Sequence, residues 1–249
     1  MSRLFDDASS QYLTYTGAAV TTTPLTLACW FYSNDTAAAQ GLVALGYSDA
    51  VDTSRFVLTA NGNIAGDPVR ATAHDAGTIH PAVTTTGYSA NTWHHACGVF
   101  ASSTSRSAYI DGGSKGTTTN SHTPIGIDRT YIGVVEGAGL TNYMSGRIAE
   151  AAIWNVALTD AEVLMLSKNR CPLFVRPANL VSYWPLLGAN SPEIDPVGKY
   201  DMTLTNGPTK AEHPRILYPA PPHIVRAPPL PVAHYINITQ QARVTAAYF

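Results

Sequence analysis

The sequence predicts an all-β protein: an antiparallel β-sandwich with one short helix and an extended Pro-rich C-terminal arm. Short apolar or alternating segments recur between turns from residue 4 to about residue 155. Two of the turns, Asn61-Gly62 and Asp111-Gly112, are residue pairs typical of tight β-hairpins. Charged residues make up only 13% of the chain, so small polar residues that suit short strands and turns fill many surface positions.

The predicted strands are rich in bulky and β-branched residues and are bounded by Gly, Asn, Asp and Ser. Many short strands at this spacing are typical of a sandwich or a barrel. The main predicted strands cover residues 25–31, 41–46, 55–60, 94–100, 107–110, 130–134 and 146–154.

One helix is predicted to follow the last of these strands. Thr159 stands at its N-cap and Glu162 three residues later, which is the pattern of a capping box. Val163 and Leu166 give the helix one apolar side, so we expect a short helix packed on the sandwich. A further strand is predicted over residues 180–186.

Bulk properties limit the partners. The formal net charge is -2 and the chain has no block of Lys or Arg, so we expect no nucleic-acid partner and no anionic membrane partner. No apolar run reaches the roughly 18 residues of a membrane span. The N-terminus lacks a signal-peptide pattern, and the three cysteines are widely spaced. These features predict synthesis in a reducing cytoplasm without classical secretion.

The sequence changes character after residue 208. Eight of the 17 prolines fall between Pro208 and Pro231, and proline favours extended polyproline II over a sheet ladder. The same region carries apolar residues that a disordered tail usually lacks. We therefore predict a sandwich over residues 1–208 and an arm over 209–249 that docks onto a neighbouring subunit. The predicted docking residues are Ile216, Leu217, Tyr218, Ile224, Val225, Leu230, Tyr235, Ile236, Ile238, Tyr248 and Phe249.

Read in order, several segments resemble the laminin-G-like jelly-roll domains of the concanavalin A-like lectin/glucanase superfamily, in their compact phage type. The longest match is Gly146 to Val163, a strand that ends in Ile153-Trp154-Asn155 and leads into the helix. The other matching segments are 5–7 with 12–13, 25–31, 92–97, 108–112 and 200–207. The resemblance implies a sandwich over roughly residues 3–208. We expect Trp30, Trp93 and Trp154 to fill its sheet-on-sheet core, with a sugar-stacking platform as the alternative.

Glycoside hydrolysis is a possible activity because some relatives of this fold are glucanases. Retaining glycosidases need two carboxylates about 5–5.5 Å apart, and these relatives supply them from an E-x-D-x-(x)-E strand. None of the five glutamates, Glu136, Glu150, Glu162, Glu193 and Glu212, forms that motif. An acid pair from distant strands stays open, but we expect no enzyme activity.

The resemblance also implies a possible calcium site, because laminin-G relatives often bind calcium through loop oxygens. The candidate ligands are Asp49, Asp52, Asp67 and Asp75, and solvated loop aspartates are the alternative. No other cofactor is expected. The adjacent pair His94 and His95 faces opposite ways on a strand, so the two rings cannot share one metal.

Three functions are weighed. The first is a structural or decoration protein of a virus particle, with other subunits of a homo-oligomer, a capsid or a tail protein as partners and the virion as its location. The second is a carbohydrate-binding module that recognises surface glycans through Tyr47, Tyr88 and Tyr143, in a cytoplasmic or non-classically exported protein. The third, a glucanase-type hydrolase, has the least support.

Overall fold

Alternation of inward and outward side chains along each strand builds two antiparallel sheets that pack face to face. The structure is a computed structural model, and it describes residues 1–48, 54–136, 139–188 and 191–219. The predicted all-β antiparallel sandwich is confirmed. No helix in these ranges is long and apolar enough to cross a bilayer.

The first sheet has eight strands, in the order β10-β9-β8-β3-β14-β1-β17, with β15 paired to the second half of β14. Its strands are β1 (Ser2–Phe5), β3 (Leu25–Ser33), β8 (Trp93–Ser102), β9 (Ser105–Ile110), β10 (Gly113–Thr118), β14 (Gly146–Trp154), β15 (Leu180–Trp184) and β17 (Thr209–Ala211).

The second sheet has seven strands, in the order β16-β2-β11-β4-β5-β6-β7. Its strands are β2 (Tyr12–Thr16), β4 (Ala39–Gly46), β5 (Arg55–Asn61), β6 (Pro68–His74), β7 (Ala82–Gly87), β11 (Arg129–Ile132) and β16 (Thr203–Thr205). A two-stranded ribbon of β12 (Val135–Glu136) and β13 (Leu140–Thr141) stands apart from both sheets.

The main core lies between the inner faces of the two sheets. Leu27 and Phe31 of β3 are fully buried there, as are Phe56 and Leu58 of β5. The rings of Phe56 and Phe100 meet edge to face with centroids 5.3 Å apart, an arrangement that aromatic pairs favour. This core fixes which residues of each strand point outward.

A second apolar layer covers part of the outer face of the eight-stranded sheet. The helix α1 (Asp160–Ser167) packs there through Val163 and Leu166, and its predicted capping box between Thr159 and Glu162 is present. A short 3₁₀ turn (Pro172–Phe174) follows it. The helix therefore blocks this region of the sheet from any large ligand.

The tryptophans named from the sequence do not lie between the sheets, so the expectation that they fill the sheet-on-sheet core is wrong. Trp154 is buried under the helix layer, where its ring N–H donates to the carbonyl of Val175 at 2.8 Å. Like Trp154, the side chains of Trp30 and Trp93 point to the outer face of the eight-stranded sheet. Trp184 is the tryptophan that lies in the inter-sheet core. Leu25, Leu27, Cys29 and Phe31 occupy the inward positions of β3, which leaves Trp30 on the outer face.

The predicted Asp111-Gly112 hairpin joins β9 to β10 by a two-residue turn. Both residues have positive φ, 51° and 76°, as a type I′ turn requires. The Asp111 carboxylate also accepts from His94 Nδ1 at 2.8 Å and from the backbone N–H of His95 at 2.9 Å. The turn pair is thus a structural feature of the hairpin.

Residues 209–219, which the sequence assigned to the arm, lie on the sandwich. Strand β17 pairs with β1 at the edge of the eight-stranded sheet. Ile216 packs against the helix layer, and Leu217 exchanges backbone hydrogen bonds with residues 169 and 171. Tyr218 remains 46% exposed, but its hydroxyl donates to the buried carboxylate of Glu150 at 2.7 Å. The other predicted arm residues, from Ile224 to Phe249, lie outside the described residues.

Glu150, which accepts the hydrogen bond from Tyr218, lies at a β-bulge of β14. Its φ of 55° coincides with a register shift between Ala149 and Ala152, so the strand changes parity there. The carboxylate also accepts from Tyr183 Oη at 2.7 Å and lies 3.2 Å from His213 Nε2. Burial, and then the charge of Glu150, raise the pKa of the Tyr183 hydroxyl well above its usual range.

Candidate functional site

The outer face of the seven-stranded sheet carries the candidate site. On β5, Phe56, Leu58 and Ala60 point into the core, so the alternate residues Arg55, Val57, Thr59 and Asn61 point outward. On β6 the outward residues are Arg70, Thr72 and His74, and the register places Arg70 opposite Thr59. Two neighbouring strands therefore present a row of polar side chains on one surface.

Residues 134–136 and 139–143, which include the β12–β13 ribbon, form one wall of this surface. This wall approaches β4 so closely that a Cβ on Gly41 would lie 2.4 Å from the carbonyl carbon of Val134. Gly41 N–H also donates to the carbonyl of Asn142 at 2.7 Å. Glycine is needed at position 41 because only its missing side chain permits this contact.

Between this wall and the loop after β6 lies a groove of about 140 Å³. This is smaller than the roughly 300 Å³ at which pockets for drug-sized ligands begin, so it fits one small group of a larger ligand. Apolar and hydrogen-bonding side chains alternate along it. The lining residues are Arg55, Val57, Thr59, Asn61, Arg70, Thr72, Ile79, Val135 and Asn142.

Arg70 is the most unusual residue of the groove. It is half-buried, and its Nε has no hydrogen-bond partner in the described part of the chain. Burial lowers the pKa of its guanidinium below the usual range, although an arginine still carries its charge. A desolvated donor without a partner is costly in a folded protein, which makes this position a candidate for ligand contact.

Hydrogen bonds within the groove orient its other polar groups. Thr59 Oγ1 donates to Asn61 Oδ1 at 2.7 Å, which leaves the amide nitrogen of Asn61 to act as a donor. Arg55 Nη1 donates to the backbone carbonyl of Glu136 at 3.3 Å. Burial raises the pKa of the Glu136 carboxyl, although a hydrogen bond from Tyr131 opposes that shift. The groove thus presents donors more than acceptors.

The structure does not bring the three predicted sugar-contacting tyrosines together. Tyr88 is only 4% exposed and packs edge to face on Phe31 in the core, so its ring has no face for a sugar. Tyr47 is half-buried against Gly126, beyond the end of β4. Tyr143 lies on the outer face of the seven-stranded sheet, 6.2 Å from Tyr12.

Tyr143 belongs instead to a cluster that the sequence did not predict. Tyr12 of β2 contacts both Tyr143 and Tyr131, with centroids 6.2 Å apart in each pair. These rings lie on the β2–β11 side of the ribbon, and the arginines lie on its other side. One pattern in the sequence could have indicated this cluster: Leu13 is apolar and points inward, so its neighbour Tyr12 must point to the outer face.

Of the four aspartates predicted as calcium ligands, the structure describes Asp67 and Asp75, and these two lie too far apart to bind one ion. Asp49 and Asp52 lie outside the described residues. Asp67 precedes β6 and Asp75 follows it, so the seven residues of that strand place them roughly 25 Å apart at about 3.3 Å per residue. No group of three or more His, Cys, Asp or Glu side chains that could hold a metal ion occurs in the described ranges.

The carboxylate of Asp75 is already used by protein donors. It accepts from His122 Nδ1 at 2.7 Å and from the N–H of Thr123 at 2.6 Å. Nε2 of His122 in turn lies 3.3 Å from Nδ1 of His80. Burial opposes ionisation of Asp75, but these hydrogen bonds outweigh it and hold the pKa of the carboxyl below its usual range. Asp75 thus joins two loops at one end of the sandwich.

The five glutamates have separate environments. Glu150 is buried among tyrosines, and Glu193 pairs with the buried Arg3 at 2.9 Å. Glu162 caps the helix, Glu212 is exposed beside Arg147, and the carboxylate of Glu136 lies beside Tyr131 and Gly46, outside the groove lining.

Comparisons with known proteins place this geometry in a family. The model of the concanavalin A-like lectin/glucanases superfamily matches residues 7–164. No curated protein matches the chain in sequence.

Two solved structures share the fold. A proposed carbohydrate-binding protein from Bacteroides ovatus is 20% identical with a TM-score of 0.57; the match covers 84% of this chain and spans 58% of that protein. The CBM40 domain of the Ruminococcus gnavus IT-sialidase, bound to α2,3 sialyllactose, is 12% identical with a TM-score of 0.53, over 67% of this chain and 97% of that one. Together with the family match, they place the laminin-G-like sandwich described above among lectin-like folds. The chain belongs to the concanavalin A-like lectin/glucanase superfamily.

Proposed function

We propose that this protein is a non-catalytic carbohydrate-binding domain that binds a glycan in the groove over β5 and β6. The observation that carries the proposal is the row of hydrogen-bonding side chains that line this groove on the outer face of the seven-stranded sheet. Sugars are recognised by such groups because each hydroxyl both donates and accepts. Ile79, which lines the groove and is 41% exposed, supplies an apolar surface for the C–H face of a ring.

The contrast between the two sheets supports this location. The helix layer covers much of the outer face of the eight-stranded sheet with buried apolar side chains. On the seven-stranded sheet, β5 and β6 carry polar residues outward, and Asn142 of the wall is exposed. Burying polar groups without giving them partners is unfavourable, so this face suits a polar ligand better than a packed protein layer.

Two groove variants test the proposal. Thr72→Val removes a hydroxyl at nearly constant volume, and Asn142→Gly removes an amide while it tolerates the φ of 54° at that position. We expect each to weaken binding of an array-identified glycan by roughly 3- to 10-fold, the effect of one neutral hydrogen bond. Isothermal titration calorimetry measures the change.

The matched control is Thr14→Val, which makes the same substitution on the same outer face, on β2 and outside the groove. It should bind as the parent does. A glycan array without any response at millimolar sugar would remove the proposal, and so would equal effects of Thr72→Val and Thr14→Val.

The decoration role predicted from the sequence has no support from the comparisons and stays a prediction. It is assigned to the arm of residues 209–249, and residues 220–249 of that arm lie outside the described residues. Its test is a truncation after Pro219, because Ile216 and Tyr218 contact the sandwich and an earlier cut would expose the Glu150 site. Unchanged oligomerisation and assembly of the truncated chain would contradict the role.

A further inference from the structure

We infer that the groove selects an acidic sugar, whose carboxylate pairs with the guanidinium of Arg70. This inference rests on the proposed glycan site and names the chemical class of its ligand. It goes beyond the fold because it depends on the charges and hydrogen bonds of one groove.

The first step is the state of Arg70. Its side chain makes no hydrogen bond and no ion pair within the described ranges, and its buried Nε is a donor without an acceptor. Arg106 is fully buried and its Nε also has no partner, but its terminal nitrogens donate to the carbonyls of Ser103, His80 and Asn120. The terminal nitrogens of Arg70 therefore retain donor capacity that a bound ligand can satisfy.

The second step is the charge of the groove. None of its nine lining residues is Asp or Glu, and two are arginines. Arg55 differs from Arg70, since it already donates to the carbonyl of Glu136. A positive groove without acidic lining favours an anion, because the charges across a binding site are usually complementary.

The third step is geometry. Arg70 stands opposite Thr59 on the neighbouring strand, and Thr72 follows it on the same face. A planar guanidinium binds a carboxylate through two parallel N–H···O bonds. The hydroxyl groups of Thr59 and Thr72 and the amide of Asn61 then lie along the two strands, where the ring hydroxyls of the same sugar reach them. One guanidinium matches one carboxylate in charge.

Matched oligosaccharides test the inference by calorimetry. The acidic probe is trigalacturonic acid, the neutral probe is the same trimer with its carboxyl groups reduced to alcohols, and a third probe is a galactose trimer carrying sulfate esters. We expect the acidic probe to bind roughly 10- to 100-fold more tightly than the neutral one, as a hydrogen bond to a charged group predicts. Added salt should weaken only the acidic probe.

Arg70→Gln should abolish this preference, and Arg70→Lys should retain only part of it, because an ammonium lacks the planar fork. Arg215→Gln, at an exposed arginine outside the groove, is the matched control and should bind as the parent does. A circular-dichroism melt of each variant confirms folding. If Arg70→Gln does not fold, the preference for the acidic probe is measured with Arg70→Lys instead.

The failures are distinguishable. Equal binding of the acidic and neutral probes, both weakened by Thr72→Val, would overturn the acidic class and leave the glycan site intact. Binding of the sulfated probe alone would overturn the carboxylate. Loss of the preference in Arg215→Gln, with Arg70→Gln unaffected, would overturn the role of Arg70. Binding of no sugar at all would remove both the proposed function and this inference.

Discussion

The burial of His95 makes the stability of the sandwich depend on pH. His95 lies on β8 and is 2% exposed, with its ring edge to face against Trp30 at 5.5 Å. Its Nδ1 has no hydrogen-bond partner in the described part of the chain. Desolvation of the charged form lowers the pKa of His95 from 6.5 to about 4, although the nearby charge of Asp111 opposes this.

The direction of the effect follows from proton binding. Between pH 6.5 and pH 4 the unfolded chain binds a proton at this position and the folded chain does not, so the stability falls as the pH falls. The contribution is complete above the unfolded pKa and is lost by the time the pH reaches the folded pKa. For one group with these two pKa values, the loss between pH 7 and pH 5 is about 2 kcal/mol.

Two variants isolate this contribution. His95→Phe keeps an aromatic ring against Trp30, and His95→Gln keeps polarity, but neither titrates in this range. Urea unfolding at pH 7 and pH 5 gives the free energy of unfolding of each protein. The parent should lose about 2 kcal/mol more than either variant over this interval, since the other titrating groups are common to all three. Equal losses in all three proteins would refute the reasoning.

Three further predictions concern the core, the helix and the groove wall. Phe56→Ala should lower the free energy of unfolding by about 3–5 kcal/mol in urea titrations, because it leaves a cavity in the inter-sheet core. Thr159→Ala removes the N-cap and should cost about 1 kcal/mol in the same assay. Gly41→Ala places a Cβ 2.4 Å from the carbonyl carbon of Val134, so it should displace the ribbon and weaken glycan binding in calorimetry. Gly113→Ala, where a Cβ meets no atom within 4 Å, is the control and should leave binding unchanged.

Local patterns in the sequence predict much of this fold. Residues that are close in the chain determine the strands of the sandwich core, the capping box at Thr159 and the Asp111-Gly112 turn. These features can therefore be predicted without the structure. The face of each strand is harder to predict. A mostly apolar strand such as Leu25–Ser33 is buried on both faces. Periodicity alone therefore does not tell whether Trp30 or Phe31 enters the inter-sheet core.

Glu150 shows a second limit of such predictions. Strict alternation assigns it to the side of Ile148 and Ala152, yet the structure places Ile148 in the inter-sheet core and Ala152 in the helix layer. The register shift at Glu150 changes the parity of the strand. Its physical reason is the buried carboxylate, whose partners Tyr183, His213 and Tyr218 come from positions 33 to 68 residues later in the chain.

The groove was not predictable because its parts become neighbours only through strand register. Arg70 is a candidate because none of the side chains that line the groove is acidic, and those side chains come from three separate segments of the chain. Loop-like sequence around Tyr47, Tyr88 and Tyr143 favours exposed rings that could contact a sugar, but Tyr88 enters the core from such a position. Sheet-face residues on adjacent strands were the better candidates in a sandwich whose loops at one end are already joined by Asp75 and His122.

Two of the predicted docking residues and the proposed glycan groove lie on different faces of the sandwich. The proposed glycan groove lies on the outer face of the seven-stranded sheet, whereas Ile216 and Tyr218 lie against the helix layer of the eight-stranded sheet. The inter-sheet core stands between these surfaces, and neither shares a side chain with the other. Truncation after Pro219 should therefore leave sugar affinity within twofold of the parent's value. A larger loss would mean that residues 220–249 contribute to the groove, and the glycan site would then have to be sought on both surfaces.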